Sequence, residues 1–270
     1  MGSGIAQVAA QAGFSTLLYD LSPVILDKAR SAIEQSLQKA VDRQKISAGE
    51  KDGILKRIVF TSDLQSCVAG LFIEAIVEKP ELKIALFNQL AAFNQSGSIF
   101  ASNTSSLHIT QLAEAIPNPS RVVGMHFFNP APMMKLVEVV TTVHTSPDIK
   151  EKMIAMSRAM GKTPVVCKDS PGFIVNRVAR PYYIESLRLI EEDQASFRQL
   201  DRLLEATGFK MGPFKLMDLI GNDINYAVSH SVYEQMGRPE RLRPSDVQKE
   251  KVDKGALGRK SGQGYYEYAE

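Results

Sequence analysis

Apolar residues near the N-terminus recur at helical spacing. In GSGIAQVAAQAG (2–13), Ile5, Val8, Ala9 and Ala12 share one face, and Gly13 stands where a helix end needs a residue free to turn left-handed. The short apolar run FSTLLYD follows and ends in Asp20, after which Ser22-Pro23 reads as an N-cap with proline at the first helical position. Strand therefore feeds helix, and the alternation continues. RIVFTS and GLFIEAIV read as strands, PELKIALFNQLAAFN as a helix and SIFASN as a strand, and a helix opens after Ser106. RVVGMHFF and KLVEVV are strands, Ser146-Pro147 starts a helix, and TPVVCK is a further strand. This order predicts an α/β domain around a mainly parallel sheet.

Past Asp169-Ser170-Pro171-Gly172 the period changes. Over 173–192, 196–207 and 214–236 apolar residues recur at three and four positions rather than two, which predicts helices. The expected organisation is an α/β domain over 1–169 and a smaller all-helical domain over 170–270.

Composition narrows the class. Hydrophobic residues make up 44% of the 270 and charged residues 23%, enough apolar mass for a core and incompatible with a disordered or collagen-like chain. Lys and Arg number 32 against 30 Asp and Glu, a net charge of +2, so nothing calls for a nucleic acid as partner. The run KEKVDK (249–254) is a mixed-charge solvated stretch. The sequence holds no uncharged apolar run of about 18 residues and no secretory pattern at its start, so a soluble cytoplasmic protein without a membrane partner is expected. Two cysteines, Cys67 and Cys167, are too few for a disulfide framework and lack metal-finger spacing, which points to a reducing compartment and no metal.

A dinucleotide-binding turn carries G-x-G-x-x-G between its first strand and first helix, because glycines let the backbone approach the pyrophosphate at the helix N-terminus. Only the last glycine of that motif is present, as Gly2, with Gly4 just inside the helix. Asp20 follows about 18 residues on, at the end of the next strand, where an acid binds the ribose 2′-hydroxyl and disfavours a 2′-phosphate. That selects NAD over NADP. From these residues alone, packing of a small-residue helix on a sheet explains the segment equally well.

Three later segments bring together polar groups that an apolar core does not need: ASNTSSL (101–107), GMHFFNPAPMMKLVEVV (124–140) and DSPGFIVNR (169–177). His126 is embedded among Val122, Val123, Met125, Phe127 and Phe128, and Glu138 among Leu136, Val137, Val139 and Val140. A carboxylate in so apolar a strand demands a partner; the nearest candidate is His126, with Asn129-Pro130-Ala131-Pro132 as the turn that lays the two strands together. Such a pair is a general base with a fixed tautomer and a balanced cationic form, as alcohol oxidation requires while hydride leaves for a nicotinamide. Ser105 and Asn176 are the candidates to hold the substrate oxygen, Asn176 from the first helix of the second domain, so the expected site is the cleft between domains. Each feature has a plainer explanation: a structural ion pair, a helix cap in SNTSS, an asparagine that steadies a helix start. Their concurrence at strand ends favours chemistry, because one packing accident does not imply the others.

His108, His144 and His230 lie in polar or helical contexts and read as non-catalytic, and Met133-Met134 as gap-filling or acyl-pocket residues. Phe214, Leu216, Met217, Leu219 and Ile220 give the second domain an excess of apolar helical surface, from which a homodimer through that domain is expected, with packing within one chain as the alternative.

The stretches FASNTSSL, HFFNPAPMMKLVEVV, KDSPGFIVNR, MGPFKLMDLIG and LGRKSGQGYYEY resemble the NAD-dependent L-3-hydroxyacyl-CoA dehydrogenases, which include bacterial 3-hydroxybutyryl-CoA dehydrogenases, and the likeness runs over nearly the whole chain. The resemblance implies a Rossmann-type, mainly parallel sheet domain followed by a smaller all-helical domain. It implies an acyl-CoA substrate and oxidation of (S)-3-hydroxyacyl-CoA to 3-ketoacyl-CoA with hydride transfer to NAD, 3-hydroxybutyryl-CoA being the expected substrate. By the same resemblance His126 is the base and Glu138 orients it, with Ser105 and Asn176 on the substrate oxygen. Gly2, Asp20, Glu78, Lys83, Ser105, Asn129 and Lys260 line the NAD, and Ser36 and Arg43 face the CoA, Arg43 standing where lysine is common. RVARPYYIESLRLIEE (177–192) is nearer to members acting on 3-hydroxyadipyl-CoA, for whose acidic end Arg180 or Arg177 is a candidate, a solvated helix residue or a salt-bridge partner being an equal reading of either. Family members carry a first strand and two glycines ahead of the equivalent of Met1-Gly2, and this sequence has neither. An incomplete sequence is the expectation there, with a non-catalytic relative that has lost cofactor binding as the alternative.

Overall fold

The small residues at the start of the chain form α1 (Gly2–Gln11), which ends just before Gly13 at φ +94°. It leads into β1 (Thr16–Tyr19), the long α2 (Pro23–Asp42), α3 (Ala48–Lys56) and β2 (Ile58–Thr61), with β1 and β2 parallel. The computed structural model describes residues 1–268 and divides into two units, Met1–Asp169 and Ser170–Glu270.

The rest of the first unit comprises β3 (Leu71–Glu74), α4 (Pro80–Phe93), β4 (Ile99–Ser102), α5 (Ile109–Glu114), β5 (Val122–Phe127), β6 (Leu136–Thr141), α6 (Pro147–Ala159) and β7 (Thr163–Lys168). Its sheet has the order β3-β4-β5-β6-β7, parallel throughout except between β5 and β6. Strand β5 is buried at every position, as expected of a central strand covered on both faces. β1 and β2 form a separate two-stranded sheet, so β1 and β3 each keep one edge without a strand partner among the described residues. Helix α1 serves both pieces: Ile5 and Val8 pack with Ile99, Met125 and Val137 in the larger core, and Ala10 packs with Ile33, Leu37 and Ile58 in the smaller.

Gly124 on β5 faces Val140 on β6, and a Cβ there would lie 2.7 Å from the Val140 Cβ and 3.2 Å from the Ile109 Cδ1. Both neighbours are fully buried. Gly124→Ala is therefore expected to destabilise by about 1–3 kcal/mol and to lower the melting temperature by several degrees. A melt at or above wild type would contradict this packing.

The second unit contains α7 (Val175–Glu191), α8 (Phe197–Ala206), α9 (Pro213–Ile220), α10 (Asn222–Gln235) and α11 (Asp246–Asp253). The helical stretch expected over 214–236 is broken at Gly221, whose φ of +105° ends α9 and starts α10. The buried Asp218 carboxylate accepts from the amides of Tyr265 and Tyr266 at 2.9 and 3.0 Å and from the Tyr268 hydroxyl at 3.0 Å, which pins the segment LGRKSGQGYYEY. The expected apolar surface needs correction. Phe214 and Met217 are fully buried in this unit's own core with Tyr183, Leu187, Leu200 and Tyr265, whereas Leu219 and Ile220 are exposed. No helix among the described residues is long and apolar enough to cross a membrane.

Candidate active site

The antiparallel ladder of β5 and β6 sets His126 directly opposite Glu138, on one face of the sheet. The His126 Nδ1 lies 2.7 Å from the Glu138 Oε2, and the residues are 6% and 0% exposed. A carboxylate only accepts, so Nδ1 bears the proton in this contact and Nε2 is the basic nitrogen. The Phe128 ring packs 4.6 Å from the imidazole. Asn103, just past β4, accepts from the Phe127 amide at 2.8 Å and ties the end of β4 to the residue after the histidine.

Around Ser105 is a polar cluster of which the sequence reading named Glu78 and Lys83 and missed Glu74 and Ser102. Glu74, at the end of β3, accepts from the Lys83 ammonium at 2.6 Å and from the Ser102 hydroxyl at 2.7 Å. Lys83, on the first turn of α4, also reaches the Glu78 carboxylate at 3.1 Å and the Ile76 carbonyl at 3.4 Å. Glu78 in turn holds the loop after β4, accepting from the Thr104 hydroxyl, the Ser105 amide at 3.1 Å and the Ser106 hydroxyl at 3.0 Å. Burial pushes the Glu78 carboxyl up, but the Thr104 hydrogen bond and the Lys83 ammonium outweigh it, so the group sits below its ordinary value. Lys83 is 1% exposed, with its ammonium between the carboxylates of Glu74 and Glu78. The signal for Glu74 was the one that found Glu138, an acid within an apolar run.

The start of α1 has no side-chain cap, so its leading N–H groups are available to an anion and its dipole favours one. A Cβ on Gly4 would meet Pro132 at 3.2 Å and Ala131 at 3.3 Å, so glycine there lets the turn after β5 close against the helix. Between them is a cavity of about 190 Å³ lined by Ser3, Gly4, Gln7, Ser36, Asn129 and Pro130, among others. At Gly2 a Cβ would meet only Leu18, at an ordinary 3.8 Å. Asp20, just past β1, accepts from the Ser22 amide through Oδ1 at 2.9 Å, and its Oδ2 has no hydrogen bond among the described residues. An uncapped helix start, an adjoining cavity and a carboxylate oxygen available to a hydroxyl fit a dinucleotide such as NAD. Ser36, assigned to the CoA, shares this cavity with Asn129, assigned to the NAD. Arg43 is exposed and caps the C-terminal end of α2.

In the second unit, Asn176 lies in the first turn of α7, and the Lys260 ammonium pairs with Asp223 at 2.6 Å. Arg177 is exposed and Arg180 is buried. Both cysteines are free, and burial, with Glu138 and Asp169 nearby, pushes the Cys167 thiol up to about 12, which makes it a poor nucleophile. Among the described residues no group of three His, Cys, Asp or Glu is placed to hold a metal.

Residues 1–170 match the family described as 3-hydroxyacyl-CoA dehydrogenase, NAD binding domain, and residues 172–268 that described as 3-hydroxyacyl-CoA dehydrogenase, C-terminal domain. The chain is 46% identical to the 3-hydroxyadipyl-CoA dehydrogenase of Escherichia coli (strain K12) over 99% of its own length and 57% of that protein, so it spans little more than half of that relative. It is 42% identical to the mitochondrial hydroxyacyl-coenzyme A dehydrogenase of Sus scrofa, over 99% of this chain and 88% of that one. The solved structure of (S)-3-hydroxybutyryl-CoA dehydrogenase PaaH1 from Ralstonia eutropha matches with a TM-score of 0.95 at 34% identity, covering 100% of this chain and 96% of that one. A buried histidine–carboxylate pair and a helix start suited to a dinucleotide thus occur in a chain matched in order by the two domains of one family, and the chain belongs to the 3-hydroxyacyl-CoA dehydrogenases.

Proposed function

We propose that the protein oxidises the 3-hydroxyl of a short-chain (S)-3-hydroxyacyl-CoA, with 3-hydroxybutyryl-CoA as substrate, to the 3-ketoacyl-CoA. The observation that carries this reading is the 2.7 Å contact between the buried His126 and Glu138 in a unit that matches an NAD-binding domain. NAD, when bound, supplies the hydride acceptor. His126 takes the hydroxyl proton on Nε2, while Glu138 holds the Nδ1 proton and balances the charge the ring acquires. Ser105 and Asn176 hold the substrate oxygen, Ser105 on the loop that Glu78 fixes. Gly2, Asp20, Asn129 and Lys260 contact the cofactor, Glu78 and Lys83 shape its site, and Ser36 and Arg43 meet the CoA.

The free cysteines support a cytoplasmic setting. The exposed Leu203, Phe209, Leu219 and Ile224 support a homodimer through the second unit. A second reading, 3-hydroxyadipyl-CoA as substrate, is favoured by the buried Arg180 and by the name of the Escherichia coli relative.

Purified protein is expected to oxidise NADH with acetoacetyl-CoA and not with free acetoacetate, read as loss of NADH absorbance. Failure to bind NADH in a fluorescence titration would favour a non-catalytic relative. Turnover of the free acid alone would contradict the thioester substrate.

A further inference from the structure

Every backbone amide from Asn103 to Leu107, the loop that carries Ser105, donates to a group that leads back to Glu74. The Asn103 amide donates to the Glu74 carbonyl itself at 2.8 Å. The Thr104 amide donates to the Ser102 hydroxyl at 3.3 Å, and that hydroxyl donates to the Glu74 Oε2 at 2.7 Å. The Ser105 amide donates to Glu78, whose carboxylate lies 3.1 Å from the Lys83 ammonium, which in turn is 2.6 Å from the Glu74 Oε1. The amides of Ser106 and Leu107 donate to the Thr104 hydroxyl at 3.2 and 2.9 Å, and that hydroxyl donates to Glu78. Two routes therefore join Glu74 to the loop, a neutral one through Ser102 and a charged one through Lys83 and Glu78.

Burial separates the roles of the two carboxylates. The side chains of Glu74 and Lys83 are each 1% exposed, that of Glu78 38%. An ammonium so enclosed needs a counter-charge beside it, and Glu74 supplies one that has no surface left for a ligand. The Ile76 amide, donating to Glu74 at 2.7 Å, fixes that carboxylate against the end of β3. With the charge on Glu74 removed, Lys83 keeps Glu78 as its only carboxylate partner among the described residues and draws it away from the loop. An ion pair that only joined β3 to α4 would need the Lys83 contact and not the one to Ser102.

We propose that Glu74 is a positioning residue for the oxidation: by holding Ser102 and Lys83 it sets the 103–107 loop, and with it the Ser105 hydroxyl, without touching substrate or cofactor. This rests on the proposed function, in which Ser105 holds the substrate oxygen.

Glu74→Gln keeps the shape of the side chain and removes its charge. Two measurements on the intact protein test it: amide hydrogen exchange of peptides covering 103–107, and turnover of acetoacetyl-CoA with NADH in the wild-type and Ser105→Ala backgrounds. The variant is expected to exchange about tenfold faster in the loop, with the rest of the Met1–Asp169 unit near wild type. Its kcat is expected to fall about tenfold, and the same substitution to cost less than about twofold in the Ser105→Ala background, where there is no hydroxyl to position. Unchanged loop exchange, faster exchange throughout the unit, or a full tenfold loss that persists in the Ser105→Ala background overturns the proposal. Should Glu74→Gln fail to fold, Ser102→Ala cuts the neutral route alone; it is expected to loosen the same peptides and lower kcat about threefold, and no change in either overturns the proposal as well. If wild type reduces no acetoacetyl-CoA, the oxidation fails, and the loop exchange by itself supports or overturns the hold of Glu74 on the loop.

Discussion

His126→Gln is expected to lower kcat by about 10³-fold while NADH binds within a few-fold of wild type. The loss follows from removing the group that takes the hydroxyl proton, since the glutamine amide has no basic nitrogen to replace Nε2. Glutamine is preferred to alanine because its amide can still donate to the Glu138 carboxylate, which is 0% exposed and would otherwise be left as a buried charge without its donor. Steady-state turnover with acetoacetyl-CoA, beside an NADH fluorescence titration, checks both halves. Turnover near wild type would remove His126 as the base.

Glu138→Gln is expected to lower kcat by about 10²-fold with little change in the KM for NADH. The carboxylate accepts the Nδ1 proton at 2.7 Å from within the sheet. A carboxamide can turn its NH2 toward Nδ1 instead, which forces the ring proton onto Nε2, the nitrogen that must be free. Fold stability is expected to hold, because replacing a buried charge with a neutral isostere removes a desolvation penalty along with the attraction. Lost activity with an unchanged melting temperature marks a positioning residue; a matching loss of both would mark a structural pair.

The strand and helix alternation was legible because buried strands such as VVGMHF and VEVV carry continuous apolar runs and their helices open at Ser-Pro or Pro. The His126–Glu138 pair was legible for a related reason, an acid in an otherwise apolar strand having few explanations. Glu74 obeys the same rule and escaped notice, since GLFIEAIV read as one strand whereas β3 ends at Glu74 and its partner Lys83 lies on the next helix. Lys162 left no trace at all: its ammonium donates to the carbonyls of Ala131 and Met134 at 2.5 and 2.9 Å and holds the turn after Asn129, and backbone carbonyls have no sequence signature. Phe214 and Met217 were legible only as apolar, because an apolar helix face does not say whether its cover comes from the same chain or from a partner. Arg180 was noticed as a cation, but its burial against neutral oxygens became visible only with the neighbours supplied by α10.

Whether Glu138 acts through His126 is read most directly from a double-mutant cycle on kcat, comparing wild type, His126→Gln, Glu138→Gln and the double variant at saturating acetoacetyl-CoA and NADH. If the carboxylate serves only to orient and balance the imidazole, the double variant runs within about threefold of His126→Gln alone, because the second change has nothing left to disturb. Losses that multiply to about 10⁵-fold would mean that the two side chains act independently, and the pair would not be the base.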